Sequence, residues 1–188
     1  MKKNEKHDAI LVTANLLFEK QGFHATGVDQ IAAESGVTKR TLYKYFVSKE
    51  GLIEAVLKRH QEGMMARSRA KILAIHPVGD ARLMACVELY REWFARSNFS
   101  GCIFVKTLNE FGACSPNLVT LAVHAKQAMR DFFVELAVER GARDPEVLAD
   151  QLQLLLEGSI VVAQLGRGPE VIDLVKSMVK STIAAACA

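Results

Sequence analysis

The sequence lacks a long hydrophobic run, a metal-ligand cluster and a recognisable catalytic motif. Its most apolar stretch, 152–165, is interrupted by Gln153, Glu157 and Gln164 and is too short to cross a bilayer. The polar start, MKKNEKHD, has no apolar signal core. We therefore expect a cytoplasmic protein without a secretion signal or a membrane partner.

The four cysteines are too far apart for metal coordination. Cys86, Cys102, Cys114 and Cys187 match no metal-ligand spacing, so we expect reduced thiols, no metal and no cofactor. The sequence also contains no P-loop, HExxH or GxSxG motif. These absences favour a protein that is not an enzyme.

Strand-like alternation is also missing, whereas helix start and stop signals are frequent. Proline opens three helices, at Pro116, Pro145 and Pro169, where its missing N–H has no helical partner to lose. The pattern predicts an all-α protein of about nine helices. Their predicted bounds are 5–21, a short helix from Thr26 to Gly36, 38–46, 48–75, 80–97, 103–111, 117–140, 145–166 and 170–186.

Charge is distributed unevenly along the chain. Residues 1–71 carry 13 basic and 8 acidic side chains, whereas the remainder carries 11 and 13. A basic first third beside a mildly acidic remainder indicates an N-terminal segment that meets an anion.

The segment 36–52, GVTKRTLYKYFVSKEGL, concentrates this positive charge. In its short helix, Leu42 and Phe46 share the inner side, whereas Arg40 and Lys44 point away. Two short helices joined by a turn containing Gly36 form a helix-turn-helix, whose second helix enters the major groove of DNA. A basic helix exposed only to solvent is the alternative that the charges alone leave open.

The surrounding residues match a known family. The segment 41–52, TLYKYFVSKEGL, and the preceding 22–37, GFHATGVDQIAAESGV, resemble the DNA-binding head of TetR/AcrR-type transcriptional regulators. Tyr45 stands where histidine is frequent in that family, and Gly27 where a second threonine is common. The resemblance implies a three-helix DNA-binding head, 1–50, continuous with a helical effector-binding and dimerisation domain, 51–188.

The resemblance, applied residue by residue, implies which polar side chains of the head contact DNA bases and which contact phosphates. Phosphate contacts set affinity, and base contacts set the sequence that is bound. The expected base readers are Thr38, Lys39, Arg40 and Thr41. The expected phosphate contacts are Thr26, Tyr43, Lys44, Tyr45 and Lys49, of which Lys44 could serve either role.

The eighth helix is apolar on nearly every side, and the ninth carries a second apolar stripe. We expect the two helices to pair with their two-fold copies in a homodimer, although they could also form the core of a monomer. The expected interface residues are Leu152, Leu155, Ser159, Val162, Val175, Met178 and Val179.

Between the head and this interface, aromatic and polar residues are candidates for a pocket. The resemblance implies a small-molecule effector, and Glu110 is among the polar residues that could meet its polar atoms. The expected pocket residues are Trp93, Phe94, Cys102, Phe104, Asn109, Phe111, His124, Met129, Glu157 and Gln164.

Two alternatives to a ligand-responsive repressor of a double-stranded operator stay open. Cys102 opens the sixth helix, where a thiolate is stabilised, so it could sense electrophiles or oxidants. A small buried cysteine is the simpler interpretation. The same head could also serve an activator, because the sign of regulation depends on where the operator lies.

Overall fold

The computed structural model describes residues 3–75 and 79–187, and these residues form helices and connecting turns without a strand. The predicted all-α class is confirmed. Within the described ranges, no helix is both long and apolar enough to span a bilayer. The helices are α1 Lys3–Gln21, α2 Val28–Glu34, α3 Lys39–Tyr45, α4 Lys49–Leu73, α5 Asp80–Phe94, α6 Ile103–Phe111, α7 Pro116–Arg140, α8 Pro145–Val162 and α9 Gly168–Ala186.

These helices form two compact units. The division between the units does not coincide with the predicted domain boundary at residue 50. The first unit contains residues 1–63 and 102–125, and the second contains 64–101 and 126–188. Helix α6 and the beginning of α7 therefore belong with the head. Helix α4 belongs to both units and passes from the first to the second after Gly63.

The first unit has a core built from large apolar side chains of α1, α3, α4 and the turn after α1. Ile10, Phe18, Phe23, Leu42 and Leu52 are fully buried. Helices of seven residues, such as α2 and α3, are too short to be stable alone, so this burial holds them in place. The rings of Phe18 and Phe23 lie 4.9 Å apart at the end of α1.

The second unit is a helical core made by α5, α8, α9 and the second half of α7. Leu83, Phe133, Leu148, Leu156 and Ile172 contribute fully buried side chains. An Asp144 side chain caps α8 by accepting from Val147 N at 3.1 Å. Pro145 follows as the first helical residue, as the sequence predicts.

The join between α8 and α9 differs from the prediction. Helix α8 ends at Val162, and a kinked segment, Ala163–Arg167, leads into α9. Gly166 interrupts this segment with a φ of +83°, a left-handed conformation that glycine adopts without steric cost. The break lies at the end of the predicted eighth helix, 145–166, whereas the predicted separation from the ninth helix was residues 167–169.

Candidate nucleic-acid interface

Helices α2 and α3 are joined by a tight and fully bonded turn. After Ser35 closes α2, Gly36 adopts a φ of +69°. Val37 N donates to Ala32 O at 3.0 Å and Gly36 N donates to Ala33 O at 3.2 Å, which is a Schellman motif. The turn fixes where α3 begins relative to α2.

Helix α3 is capped by Thr38, a residue of the type favoured at helix N-termini. Thr38 is extended, and its hydroxyl accepts from Thr41 N at 3.1 Å. The two threonine hydroxyls also lie 2.9 Å apart, so each can satisfy the other. Leu42 is fully buried and Phe46 is nearly so, which anchors the inner side of the helix.

The four predicted base readers lie on the accessible part of α3. Thr38, Lys39 and Arg40 are exposed, and Thr41 is half-buried. Lys39 Nζ lies 2.9 Å from Asp29 Oδ1 and 3.0 Å from Asp29 Oδ2, and this hydrogen-bonded carboxylate raises the pKa of Lys39. No local pattern connects Asp29 with Lys39, since ten residues separate the pair across the turn.

The predicted phosphate contacts divide into exposed and partly covered side chains. Tyr43 is 41% exposed and Lys44 is exposed, whereas Tyr45 and Lys49 are half-buried. The ring of Tyr45 meets the His7 ring edge-on at 5.7 Å. Burial lowers the pKa of Lys49, and the negative charge of Glu110 partly offsets that effect.

Lys49 begins a helix that is well suited to meet an anion. Ser48 caps α4 by accepting from Gly51 N at 3.0 Å. The N-terminus of a 25-residue helix carries partial positive charge, which adds to that of the lysine. The lysine and the helix N-terminus together form a positively charged site that follows α3 in the chain.

Thr26 does not lie where its predicted role requires. Its side chain is fully buried, and its hydroxyl donates to Gly22 O at 2.6 Å. The residue that caps α2 is Gly27, without a side-chain bond. The assignment of Thr26 as a phosphate contact is therefore wrong for its hydroxyl, which instead closes the turn between α1 and α2.

Glu110 is bonded within the first unit and is not free to meet an effector. One carboxylate oxygen accepts from Phe23 N at 3.0 Å and the other from His24 N at 2.7 Å. Its own carbonyl oxygen lies 3.1 Å from His24 Nε2. Sequence reasoning had no signal for this contact, because 86 residues separate Glu110 from His24.

The ten predicted pocket residues are divided equally between the two units. In the first unit, Phe111 packs against the rings of Phe23 and His24, at 5.4 and 5.1 Å, and Phe104 is buried against His60. Both side chains pack within the head, and their assignment to a pocket stays a prediction. Asn109 and His124 are exposed, and Cys102 is buried.

In the second unit, the remaining five predicted pocket residues also have protein partners or neighbours. Phe94 contacts Trp93 in an aromatic cluster, with centroids 5.8 Å apart. Glu157 pairs with Lys126 at 2.6 Å, and Gln164 donates to Ser100 O at 3.2 Å. Met129 is half-buried against the core.

The cavities described in the second unit have other linings. One, of about 340 Å³, is lined by Ile72, Met84, Leu89, Lys176 and Lys180 among others. A second, of about 570 Å³, lies along Val147, Leu148 and Thr182. Neither contains any of the ten predicted residues.

Most of the predicted dimer-interface residues lie on the sides of α8 and α9 that face the protomer's own core. Leu152, Val175 and Val179 are at most 4% exposed, because they pack into the second unit's own core. Ser159 is 2% exposed, and its hydroxyl donates to Leu156 O at 2.6 Å. Leu155 and Val162 are half-buried, and only Met178 is exposed. The apolar side chains exposed on α8 and α9 are Val147, Leu154, Val161, Leu174 and Met178, with Leu165 in the segment between.

The cysteines differ in accessibility. Cys102 precedes α6 and is 8% exposed, whereas Cys114 is exposed. Complete burial raises the pKa of Cys86 to about 12, so that thiol is unreactive at neutral pH. Sensing by Cys102 stays a prediction.

Comparison with known proteins agrees with this geometry. The model of bacterial regulatory proteins of the tetR family matches residues 10–56, and that of the tetracyclin repressor-like C-terminal domain matches 79–179. The chain belongs to the TetR family. Its members are transcriptional regulators that bind DNA through a helix-turn-helix, which confirms the predicted class of function.

Individual relatives of this TetR-family regulator are distant in sequence. It is 26% identical to the transcriptional activator FasR of Mycolicibacterium smegmatis over 86% of this chain and 70% of FasR. It is 28% identical to the regulator UidR of Escherichia coli over 73% of this chain and 69% of UidR. The crystal structure of SCO4454, a TetR-family regulator from Streptomyces coelicolor, superposes with a TM-score of 0.91 at 25% identity, covering 98% and 97% of the two chains.

Proposed function

We propose that this regulator binds a palindromic operator as a two-fold dimer and represses transcription by occupying it. The observation that carries the proposal is the two-sided character of α3. Leu42 and Phe46 are buried, and Arg40 and Lys44 are exposed on the opposite side. A helix held by its inner side and cationic on its outer side fits the major groove of DNA.

The side chains of this surface divide into two roles. Thr38 caps α3, and Lys39, Arg40 and Thr41 follow on its first turn, the part of a recognition helix that meets base edges. Phosphate oxygens are bound by Tyr43, Lys44, Tyr45 and Lys49. Thr26 is omitted because its hydroxyl is buried and bonded to Gly22 O.

The dimer interface in this proposal uses the apolar side chains that the protomer leaves exposed. Leu154 and Val161 are 75% and 59% exposed and lie seven residues apart on α8, and therefore on one side of the helix. Gly158 lies between them, and a methyl group added there would meet nothing within 4 Å. Exposed apolar residues in this number favour association. A two-fold dimer carries two α3 helices, one for each half-site of a palindrome.

An effector would act by changing the spacing of the two DNA-binding heads in the dimer. A ligand shifts DNA affinity only by favouring one arrangement of the dimer over another. Helix α4 supports such coupling, since it runs without a break from Lys49 at the DNA-binding surface to Leu73 in the second unit. Release of a bound duplex on addition of a candidate compound measures this response.

Activation is the alternative sign of regulation, and FasR is named an activator. The head would bind DNA in the same way in either case. Reporter transcription with the operator placed upstream of, or overlapping, a promoter distinguishes the two signs. We also propose that the protein works in the cytoplasm, where bacterial DNA lies.

The direct test is selection of binding sites from a pool of random-sequence duplexes. The expected result is enrichment of a palindrome whose half-site centres lie about one helical turn, roughly 10 base pairs, apart. A pool that stays random after repeated rounds, with binding that is equal for all sequences, would contradict a sequence-specific operator.

A further inference from the structure

The turn between α1 and α2 is closed by a carboxylate from a distant helix. Phe23 N and His24 N are consecutive donors, and each bonds a different oxygen of Glu110, at 3.0 and 2.7 Å. Hydrogen bonds to an ionised acceptor are roughly twice as strong as those between neutral groups. Glu110 therefore holds two adjacent backbone groups in one fixed orientation.

Gly22 is fitted to this contact. Its φ is +84°, and a methyl group added to it would lie only 2.6 Å from Glu110 Oε1. Any other residue would therefore both strain the backbone and displace the carboxylate. The turn thus leaves space for a group on α6.

Other contacts fix α6 against the same part of the first unit. Lys106 donates to the carbonyl of Glu19 near the end of α1, and the Phe111 ring packs on those of Phe23 and His24. Just beyond α6, the Ser115 hydroxyl donates to Glu50 in the first turn of α4. Helix α6 and the turn after it thus meet the head at α1, at the α1–α2 turn and at α4.

This arrangement lies directly before the DNA-binding helices. Helix α2 starts four residues after His24, and α3 follows through the Schellman turn at Gly36. The charge of Glu110 also acts on Lys49, whose pKa it raises against the effect of burial. One carboxylate is therefore coupled both to the backbone that leads into α2 and to a proposed phosphate contact.

We propose that Glu110 is a positioning residue for sequence-specific DNA binding. It fixes the α1–α2 turn and thereby the placement of α2 and α3, on which base readout depends. The inference rests on the proposed function. Non-specific binding needs only positive charge near phosphates, whereas specific binding needs α3 in the correct position.

The test compares two affinities of each variant, one for a duplex selected by the wild-type protein and one for an unrelated duplex of equal length. Glu110→Gln keeps the size of the side chain but loses its charge, and Glu110→Asp keeps the charge but shortens the reach. Each should lower affinity for the selected duplex by about tenfold, while affinity for the unrelated duplex stays within about twofold. The specificity ratio therefore falls.

Glu54→Gln is the matched control, because Glu54 is a glutamate of the first unit whose side chain is 41% exposed and pairs with Lys58 at 2.6 Å. It should leave both affinities unchanged. A proportional loss of both affinities in the Glu110 variants, following a lower melting temperature, would reduce Glu110 to a structural role and overturn the inference. Wild-type-like behaviour of Glu110→Asp would overturn it too, by showing that only the charge matters.

Failure of the proposed function gives a different result. In that case the wild-type protein itself selects no duplex, and the comparison of variants has no specific site to use. A wild-type protein that binds its selected duplex, together with Glu110 variants that keep the wild-type specificity ratio, contradicts the positioning role alone.

Discussion

Arg40 and Lys49 are both cationic, but they have different surroundings and therefore different expected roles. Arg40 is exposed on the first turn of α3, and Lys49 is half-buried at the capped start of α4. We predict that Arg40→Ala relaxes preference at one or two base-pair positions, at a cost of about 1–3 kcal/mol for the selected duplex. Lys49→Ala should weaken binding to all duplexes and lower the salt slope by about one.

Binding isotherms over a series of salt concentrations measure both effects. Lys180→Ala is the control, since Lys180 is an exposed lysine on α9, outside the head. A change of sequence preference in Lys49→Ala with an unchanged salt slope would show that the two roles are assigned the wrong way round.

At the residue scale, Thr38 and Thr26 show what local sequence can and cannot predict. Both threonines precede a short helix, and both fit a helix cap on local grounds. Thr38 does cap α3, but Thr26 is turned inward to Gly22 O. The difference comes from the α1–α2 turn, whose Phe23 and His24 N–H groups bond Glu110, a residue that no local pattern connects to Thr26.

Arg82 shows how one helix end is fixed within the second unit. It is 7% exposed, and its guanidinium donates to Ile75 O at 3.0 Å and to Leu73 O at 2.8 Å. It also pairs with Glu139 of α7 at 2.5 Å. A buried cation from α5 thus satisfies carbonyl groups at the C-terminal end of α4, which a helix leaves without intrahelical partners.

We predict that Arg82→Met lowers the free energy of unfolding by about 3–5 kcal/mol, because it leaves Glu139 and two carbonyl groups without their donor. Urea unfolding followed by circular dichroism measures the change. Arg167→Met, at an exposed arginine paired with Glu170 at 3.0 Å, should change it by less than about 0.5 kcal/mol. Equal effects of the two substitutions would contradict the anchoring role of Arg82.

At the element scale, the sequence predicted well where helices begin and end. It predicted poorly which side of a helix is buried in the protomer. Capping residues, glycines and prolines are local signals, and α6 has the predicted bounds Ile103–Phe111. Helices α8 and α9 carry apolar residues around much of their circumference, so periodicity cannot identify the side that faces the protomer's own core. That side is decided by packing against α5 and α7, which buries Leu152 and Val179 and exposes Leu154.

For the whole molecule, the account depends on pairing of the exposed apolar side chains of α8 and α9. Leu154 is 75% exposed in the protomer and would be covered by a two-fold copy. Leu154→Asp places a charge in that interface, where burial without a partner is costly. We predict that the variant sediments as a monomer at micromolar concentration, whereas the wild type sediments as a dimer.

Val138→Asp is the matched control, because Val138 is 60% exposed in the same unit but lies on α7. It should leave the dimer intact. Dissociation by Val138→Asp together with an intact Leu154→Asp dimer would place the interface elsewhere.

The central claim is that two paired α3 surfaces bind one operator. The most direct test is the mass of the complex that the wild-type chain forms with a single selected duplex. Native mass spectrometry should give two chains per duplex for the wild type and no stable complex for Leu154→Asp at the same concentration. One chain per duplex with full sequence preference, or no complex with any duplex, would contradict the account.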